Sequence, residues 1–139
     1  MKLNPWIAVP ILVATGLASL GSTTSQAQVI LQPNFQPNPQ TLSSGVSGGS
    51  GGTECGALPA TPNAVVQLAA DITSMRFIVQ GDGQPTLMIQ GPQGTSCILS
   101  DNLSGGVLEV PGYWEQGTYS LYVGDRAGGS HNYTLSVSR

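Results

Sequence analysis

The sequence has few charged residues and very few basic ones. Only 8% of the 139 residues are charged, with four lysines and arginines against seven aspartates and glutamates. Nucleic acids and anionic membrane surfaces are bound chiefly through clustered lysine and arginine. The composition therefore argues against both as partners, and it predicts a protein that binds neutral partners or none.

Cysteine and histidine are also scarce. The chain has two cysteines, Cys55 and Cys97, and one histidine, His131. A thioredoxin-like redox motif needs a C-x-x-C pair, and a structural zinc site needs four clustered cysteine or histidine ligands. The sequence contains neither pattern, so we expect no redox or zinc chemistry.

No hydrophobic run is long enough for a comfortable membrane span. The longest one extends from Trp6 to Leu20 and is interrupted by Pro10 and Gly16. A membrane-spanning helix needs about 20 consecutive apolar residues. We therefore expect this segment to be removed during export, which leaves no stable membrane span.

The flanks of this run are typical of a signal peptide. Lys2 supplies a basic start, and Ser25 and Ala27 place small residues at the two positions that a signal peptidase recognises. The sequence predicts a signal peptide over residues 1–27, with the mature chain beginning at Gln28. The predicted location is secreted or extracytoplasmic, either periplasmic or extracellular.

An exported chain with an even number of cysteines is expected to form disulfides. Here the two cysteines predict one bridge, Cys55–Cys97. It would close a loop of about 43 residues, which the chain-entropy description values at roughly 4 kcal/mol. For a domain this small, that is a large part of the expected net stability.

Residues 28–52 differ in composition from the rest of the chain. The first part is rich in proline, glutamine and asparagine, and the second part, Ser43–Gly52, is rich in serine and glycine. Such sequences favour extended or flexible coil. We predict a disordered linker over residues 28–52, either an unconstrained tail, which we favour, or a spacer or recognition segment.

From Thr53 onward, apolar and polar residues alternate with a period of two between closely spaced turn residues. This alternation is typical of half-buried strands, and it is not the apolar pattern of a helix. It predicts a single domain over residues 53–139, an all-β antiparallel sandwich of about seven strands. The predicted strands are Ala64–Leu68, Met75–Gln80, Thr86–Gln90, Ser96–Leu99, Val107–Val110, Thr118–Val123 and Tyr133–Ser138.

The order of these strands resembles the bacterial pre-peptidase C-terminal domain. The resemblance lies in five successive features: the segment Arg76–Val79, the apolar strand Leu87–Ile89, a Gly-Pro turn, the strand Gly117–Val123 and the closing strand Asn132–Val137. It extends over roughly residues 53–138. It implies a small jelly-roll-like β-sandwich of the kind that accompanies secreted proteases and other exported enzymes.

The resemblance also implies an accessory role in secretion, targeting or substrate binding, and no residues of this sequence form a convincing catalytic constellation. Some members of the family bind calcium through acidic residues near the first strands. In that region this sequence has only Glu54 and Asp71. We therefore predict no cofactor, and calcium binding is not carried over.

One candidate site combines Asp125, Arg126, Ser130 and His131 between the last two strands. A serine hydrolase needs a nucleophile within hydrogen-bond reach of the imidazole and a third group that orients the ring. Ser130 and His131 are adjacent, so on a strand they would point to opposite faces. We expect no catalytic triad, and instead a surface cluster in which Asp125 accepts backbone N–H groups and pairs with Arg126 or Arg76.

A second candidate site is aromatic. Tyr113 and Trp114 lie at a turn before a strand and are followed by Glu115. Exposed rings could stack on a sugar or a peptide, with Glu115 forming hydrogen bonds at the rim. Because large aromatic side chains are highly buried on average, we favour a core position for Trp114 and regard Tyr113 and Tyr122 as the better surface groups.

Three functional hypotheses follow. The first is a secreted, non-catalytic module that binds an extracellular polymer or an envelope component. The second is a structural component of an envelope assembly that binds protein through edge strands or the tail. The third is a small exported hydrolase that would need two paired carboxylates, and its candidates are Asp71, Asp82, Asp101, Glu109, Glu115 and Asp125.

Overall fold

The computed structural model describes residues 28–49, 51–101 and 105–139. These ranges form eleven β-strands and no helix, so the described part of the chain has no helix that could cross a bilayer. The predicted signal peptide, residues 1–27, lies outside the described residues. The strands are β1 (Gln28–Leu31), β2 (Gln40–Ser47), β3 (Gly51–Thr53), β4 (Gly56–Leu58), β5 (Ala64–Leu68), β6 (Ile72–Gly81), β7 (Pro85–Gly91), β8 (Gly94–Leu99), β9 (Val107–Trp114), β10 (Gly117–Asp125) and β11 (His131–Ser138).

The first sheet has seven strands and is organised around β10. One edge of β10 pairs with β5 and, at Asp125, with β4, while its other edge pairs with β7. Strand β1 adds to β5 in parallel, β3 adds to β4, and β8 adds to β7. In this sheet, β8 and β1 therefore lie at opposite sides.

The second sheet has four strands in the order β2-β11-β6-β9, and all of its pairs are antiparallel. The core lies between the two sheets and is formed by alternate residues of the long strands. As predicted, Tyr133, Leu135 and Val137 of β11 are buried. The all-β sandwich predicted from the sequence is confirmed, with eleven strands in place of about seven.

The prediction of a disordered linker over residues 28–52 is wrong for most of that segment. Residues 28–31 form β1 and residues 40–47 form β2, and each pairs with a strand of the predicted domain. Leu31 and Phe35 are buried in the core. The C-terminal Arg139 lies over the Phe35 ring, 5.6 Å from its centroid, and donates its backbone N–H to the Asn38 side chain at 3.0 Å.

The composition of this segment does not indicate strands, because the residues that pair and pack with it lie elsewhere in the chain. Strand β2 is an edge strand in which Gly45 lies opposite Tyr133. A Cβ atom at Gly45 would be in ordinary contact with the Tyr133 ring, 3.7 Å away. The Ser43 hydroxyl is hydrogen-bonded to the Tyr133 hydroxyl at 2.9 Å. Small polar residues therefore fit beside a large aromatic residue that lies ninety positions later.

The predicted disulfide is confirmed. Cys55 and Cys97 are bonded, with their Cα atoms 5.8 Å apart. Cys55 lies in the turn between β3 and β4, and Cys97 lies in β8. The bridge thus ties the β3–β4 hairpin to the strand at one side of the first sheet.

Candidate functional site

Two groups of the residues singled out in the sequence lie at opposite ends of β10. Tyr113, Trp114 and Glu115 precede the first residue of this strand, whereas Asp125 is its last residue and His131 begins the next strand. Strand β10 has nine residues, and at about 3.3 Å per residue its ends are roughly 26 Å apart. The structure therefore does not bring the two groups together.

The first group is centred on the Asp125 carboxylate, which is only 3% exposed. It accepts hydrogen bonds from the backbone N–H groups of Gln84 (3.0 Å) and Ala127 (2.8 Å). Its Oδ2 atom lies 2.6 Å from Nδ1 of His131 and 3.2 Å from the Ser47 hydroxyl. An ionised carboxylate only accepts hydrogen bonds, so Nδ1 of His131 carries the hydrogen.

Competing effects act on this carboxyl. Burial by itself raises the pKa of Asp125, but the hydrogen bonds from Ala127, Gln84 and His131 outweigh it. They hold the pKa of Asp125 below its ordinary value of 3.8. The carboxylate is therefore ionised at neutral pH and fixes the orientation of the imidazole ring.

This cluster differs from the sequence prediction in two respects. Asp125 was expected at the surface and paired with Arg126 or Arg76, but it is buried and its side-chain partner is the His131 ring. Arg76 instead lies 3.6 Å from Glu109 on the exposed face of the second sheet. The expected backbone hydrogen bonds to Asp125 are confirmed.

The arrangement lacks the geometry of a nucleophile activated by histidine. The Ser47 hydroxyl bonds to this pair, and it donates to Asp125 and to the His131 carbonyl oxygen (3.0 Å) rather than to the ring. Ser130 and Arg126 line an open concavity of about 730 Å³ beside the cluster, together with several glycines. The cluster acts as a connection between β10 of the first sheet and β2 and β11 of the second.

The second group lies at the side of the sandwich where β8 and β9 are the last strands of their sheets. A cleft of about 310 Å³ opens between them, at the small end of the range of roughly 300–1,000 Å³ that is usual for ligand sites. We call it the aromatic cleft. It is lined by Ile89, Gly91, Gln93, Gly94, Ser96, Ile98, Val110, Pro111, Gly112, Tyr113, Trp114 and Tyr119.

Tyr113 is 52% exposed at the mouth of the aromatic cleft. Its hydroxyl donates to Oδ2 of Asp71 at 2.8 Å, and Oδ1 of Asp71 accepts the backbone N–H of Gln116 at 2.7 Å. These two hydrogen bonds lower the pKa of Asp71, and the bond to Asp71 is the main cause of a raised pKa at Tyr113. Asp71 thus anchors an exposed aromatic ring.

Trp114 forms the inner wall of the aromatic cleft. Its indole N–H donates to the Met75 carbonyl oxygen at 2.9 Å. The ring meets Phe77 and Tyr119 edge to face, with centroids 4.8 and 5.7 Å apart. As favoured from the sequence, Trp114 packs against the core, yet it is half-buried and also lines the cleft.

Glu115 and Tyr122 do not line the aromatic cleft. Glu115 is exposed, and its backbone carbonyl oxygen accepts the Tyr119 hydroxyl at 2.6 Å. Tyr122 alternates with the buried residues Leu121 and Val123, so it lies on the outer face of the first sheet, where its hydroxyl is 3.4 Å from the Gln90 side chain. The two best surface tyrosines from the sequence therefore belong to different surfaces.

The structure does not group the acidic residues into a metal centre. Within residues 28–49, 51–101 and 105–139, no set of three or more His, Cys, Asp or Glu side chains could hold a metal ion. The absence of a cofactor, including calcium, stays a prediction.

Sequence reasoning missed three residues of these sites. Ser47 was assigned to the linker, and Asp71 was considered only as a calcium ligand or as one of a carboxylate pair. Gly112 was not considered, yet a Cβ atom there would lie 3.7 Å from atoms of the Trp114 ring. The Pro-Gly pair before Tyr113 indicated a turn, but the structure places both residues, with Tyr113 and Trp114, in strand β9.

Comparisons with known proteins agree with the fold. No protein-family model matches the sequence. A curated protein of Synechococcus elongatus, described as uncharacterized, is 32% identical over 136 residues, which is 95% of this chain and 92% of that protein. The crystal structure of the pre-peptidase C-terminal domain of a collagenase from Bacillus anthracis matches with a TM-score of 0.50 and 17% identity, covering 81% of this chain and 96% of that domain.

The structural match confirms the fold expected from the sequence resemblance, that of a pre-peptidase C-terminal domain. A match over 81% of the chain is longer than residues 53–139 alone could supply. It therefore extends into the segment before Thr53, as the pairing of β1 and β2 requires.

Proposed function

The chain belongs to one family with the Synechococcus elongatus protein, and from its sandwich and aromatic cleft we propose that it is an exported, non-catalytic module that binds an extracellular polymer or an envelope component. The observation that carries the proposal is the cleft between β8 and β9, where an exposed tyrosine is anchored beside a half-buried tryptophan. Concave sites with aromatic walls and a few polar groups are typical of ligand binding.

Three further features support export and a binding role. The Cys55–Cys97 disulfide is of a kind that persists in oxidising compartments. The N-terminal 27 residues have the pattern of a signal peptide. The one imidazole is bonded to a buried carboxylate rather than to a nucleophile, which agrees with a non-catalytic role.

Export is tested by expressing the full chain in a bacterium and measuring the intact mass of the protein outside the cytoplasm. We expect a mass that corresponds to cleavage after Ala27 with the disulfide formed. An uncleaved chain retained in the cytoplasm would contradict export.

Binding is tested by sedimenting the exported protein with insoluble envelope and matrix polymers, with and without calcium. We expect the wild-type protein to sediment and Tyr113→Ala to stay in solution. Tyr122→Ala is the matched control, because it removes a tyrosine from another surface. If both variants lose binding, or if both still bind, the aromatic cleft is not the binding site.

A second candidate function is a structural role through edge-strand pairing, and β8 is the observation that favours it. Among the described residues, β8 pairs with β7 alone, and its six residues include no charge and no proline. Exposed edges without such protection are open to pairing with another strand. Co-purification of a defined envelope protein, lost on Thr95→Pro, would support this role over the first, because Thr95 lies in β8 but does not line the aromatic cleft.

A further inference from the structure

We propose that the aromatic cleft binds a neutral saccharide, with one sugar ring stacked on Trp114 and with Tyr113 at its rim. This inference rests on the proposed binding function and names the class of its ligand. The cleft combines aromatic faces with hydrogen-bonding groups.

Charge is the first step of the argument. All twelve residues that line the aromatic cleft are uncharged at neutral pH. A charged ligand would lose hydration on entering and would find no opposite charge among them. Gln93 and Ser96 supply an amide and a hydroxyl at the rim, which can donate to and accept from sugar hydroxyls. The lining therefore complements a neutral, hydroxyl-rich molecule.

The rigidity of the two rings is the second step. The hydrogen bonds of Asp71 hold the Tyr113 ring at the mouth of the cleft. The indole N–H of Trp114 is already bonded to Met75, so this ring offers the ligand its apolar surface rather than a donor. Rings that are fixed before binding lose little conformational entropy when a ligand stacks on them.

Access to the indole is the third step. Gly112 lies in β9 directly opposite Met75, and its missing side chain would point at Trp114. A Cβ atom at this position would contact Cε2, Cζ2 and Nε1 of the ring at 3.7 Å. The glycine thus leaves open the surface of the indole that a sugar ring would cover.

An extended peptide is the competing occupant, and the β9 rim of the cleft favours it less. Peptides bind beside strands through a ladder of main-chain hydrogen bonds. Pro111 lies in β9 at the rim and has no backbone N–H. The ladder on that side would be interrupted next to Tyr113, whereas ring stacking needs no backbone donor.

Fluorescence gives a direct test, because Trp114 is the only tryptophan of a chain cleaved after Ala27. The exported protein is titrated with neutral oligosaccharides of glucose, N-acetylglucosamine and mannose, with the anionic oligogalacturonate, and with an uncharged extended peptide. We expect at least one neutral saccharide to change the Trp114 emission and the anionic one not to.

The decisive variant is Gly112→Ala, which covers the indole by one methyl group without removing any contact. We expect it to weaken saccharide binding at least tenfold. The matched control is Gly128→Ala, which adds the same methyl group where nothing lies within 4 Å, and we expect it to bind as the wild type does. Equal thermal unfolding of the two variants shows that the fold is kept.

The outcomes separate this inference from the function on which it rests. If the protein sediments with an envelope polymer but no neutral saccharide changes the emission, the saccharide proposal fails and the binding function stands. Equal binding of oligogalacturonate, or binding of the peptide alone, also overturns the saccharide proposal. If the protein neither sediments with a polymer nor binds a saccharide, the proposed binding function and the saccharide proposal both fail.

Discussion

Asp125 is a buried carboxylate that joins four stretches of the chain. It bonds Ser47, Gln84, Ala127 and His131, which belong to β2, the β6–β7 turn, the loop after β10 and β11. A buried ionised group is tolerated when it is paired and hydrogen-bonded in this way. We therefore assign Asp125 a structural role at the end of the sandwich opposite to the aromatic cleft.

Replacing Asp125 by alanine is expected to destabilise the protein by about 3 kcal/mol. The change leaves the donors of Gln84, Ala127 and His131 without their acceptor in a largely buried site. The control is Asp82→Ala, which alters an exposed turn and is expected to cost less than about 0.5 kcal/mol. Urea unfolding of both variants measures the difference, and equal stability would contradict the assigned role.

The lowered pKa of Asp125 predicts a pH dependence of stability. In the folded protein this carboxyl titrates below its ordinary value of 3.8, so the unfolded state binds more protons in that range. The stabilisation is present above about pH 4 and is lost as the pH falls through the folded pKa.

The pH dependence is measured by urea unfolding between pH 2 and pH 6. We expect the wild-type free energy of unfolding to fall more steeply below about pH 4 than that of Asp125→Asn. Asp71 also has a lowered pKa and remains in both proteins, so the variant keeps part of the decline. Parallel curves would show that Asp125 does not contribute.

Strand β1 lies in a segment whose sequence predicts a disordered linker, yet it is part of the first sheet. Its four residues add in parallel to β5, from Gln28 opposite Val65 to Leu31 opposite Leu68. Leu31 is 1% exposed, whereas the neighbouring Ile30 is 64% exposed. The strand thus has one buried face and one solvent face, which a short tail would not have.

We expect Leu31→Ala to cost about 2–4 kcal/mol, because it removes a buried leucine and leaves a cavity. Ile30→Ala is the matched control in the same strand and is expected to change stability by less than about 0.5 kcal/mol. Thermal unfolding of the two variants and the wild-type protein compares them. Similar small effects of the two changes would mean that β1 is not packed as described.

The β3–β4 hairpin packs closely on the end of β10, and Gly124 shows how closely. A Cβ atom at Gly124 would lie 2.5 Å from the Thr86 hydroxyl oxygen and 2.8 Å from the Cys55 carbonyl oxygen. We expect Gly124→Ala to destabilise the protein by about 1–3 kcal/mol through overpacking. Gly128→Ala, in open space, serves as the control in the same unfolding experiment, and equal stability would argue against this contact.

The disulfide acts on the stability of the whole domain, because it closes a loop of 42 positions between the hairpin and β8. Loops of this length are worth roughly 4 kcal/mol in the chain-entropy description. We expect the double variant Cys55→Ser/Cys97→Ser to lose about 3–4 kcal/mol. Denaturant unfolding under oxidising conditions measures this loss, and an unchanged midpoint would show that the bridge constrains little.

The fold class was predictable because alternation is a local property. In β6, β10 and β11 the alternation of apolar and polar residues predicts which side chains face the core. Those apolar side chains are buried in the structure. The disulfide was predictable for a different reason, since two cysteines have a single possible pairing within one chain. Both conclusions need no knowledge of distant neighbours.

Tertiary contacts decided that residues 28–47 are ordered, and they decided which residues form the Asp125 cluster and the aromatic cleft. Local propensity treats Ser43 and Gly45 as flexible coil, but their pairing with β11 outweighs that preference. Asp71 and Tyr113 are 42 positions apart, so their hydrogen bond exists only after β6 and β9 have paired. Hydrophobic periodicity acts along the chain, whereas the carboxylate cluster and the aromatic cleft form only where separate strands meet.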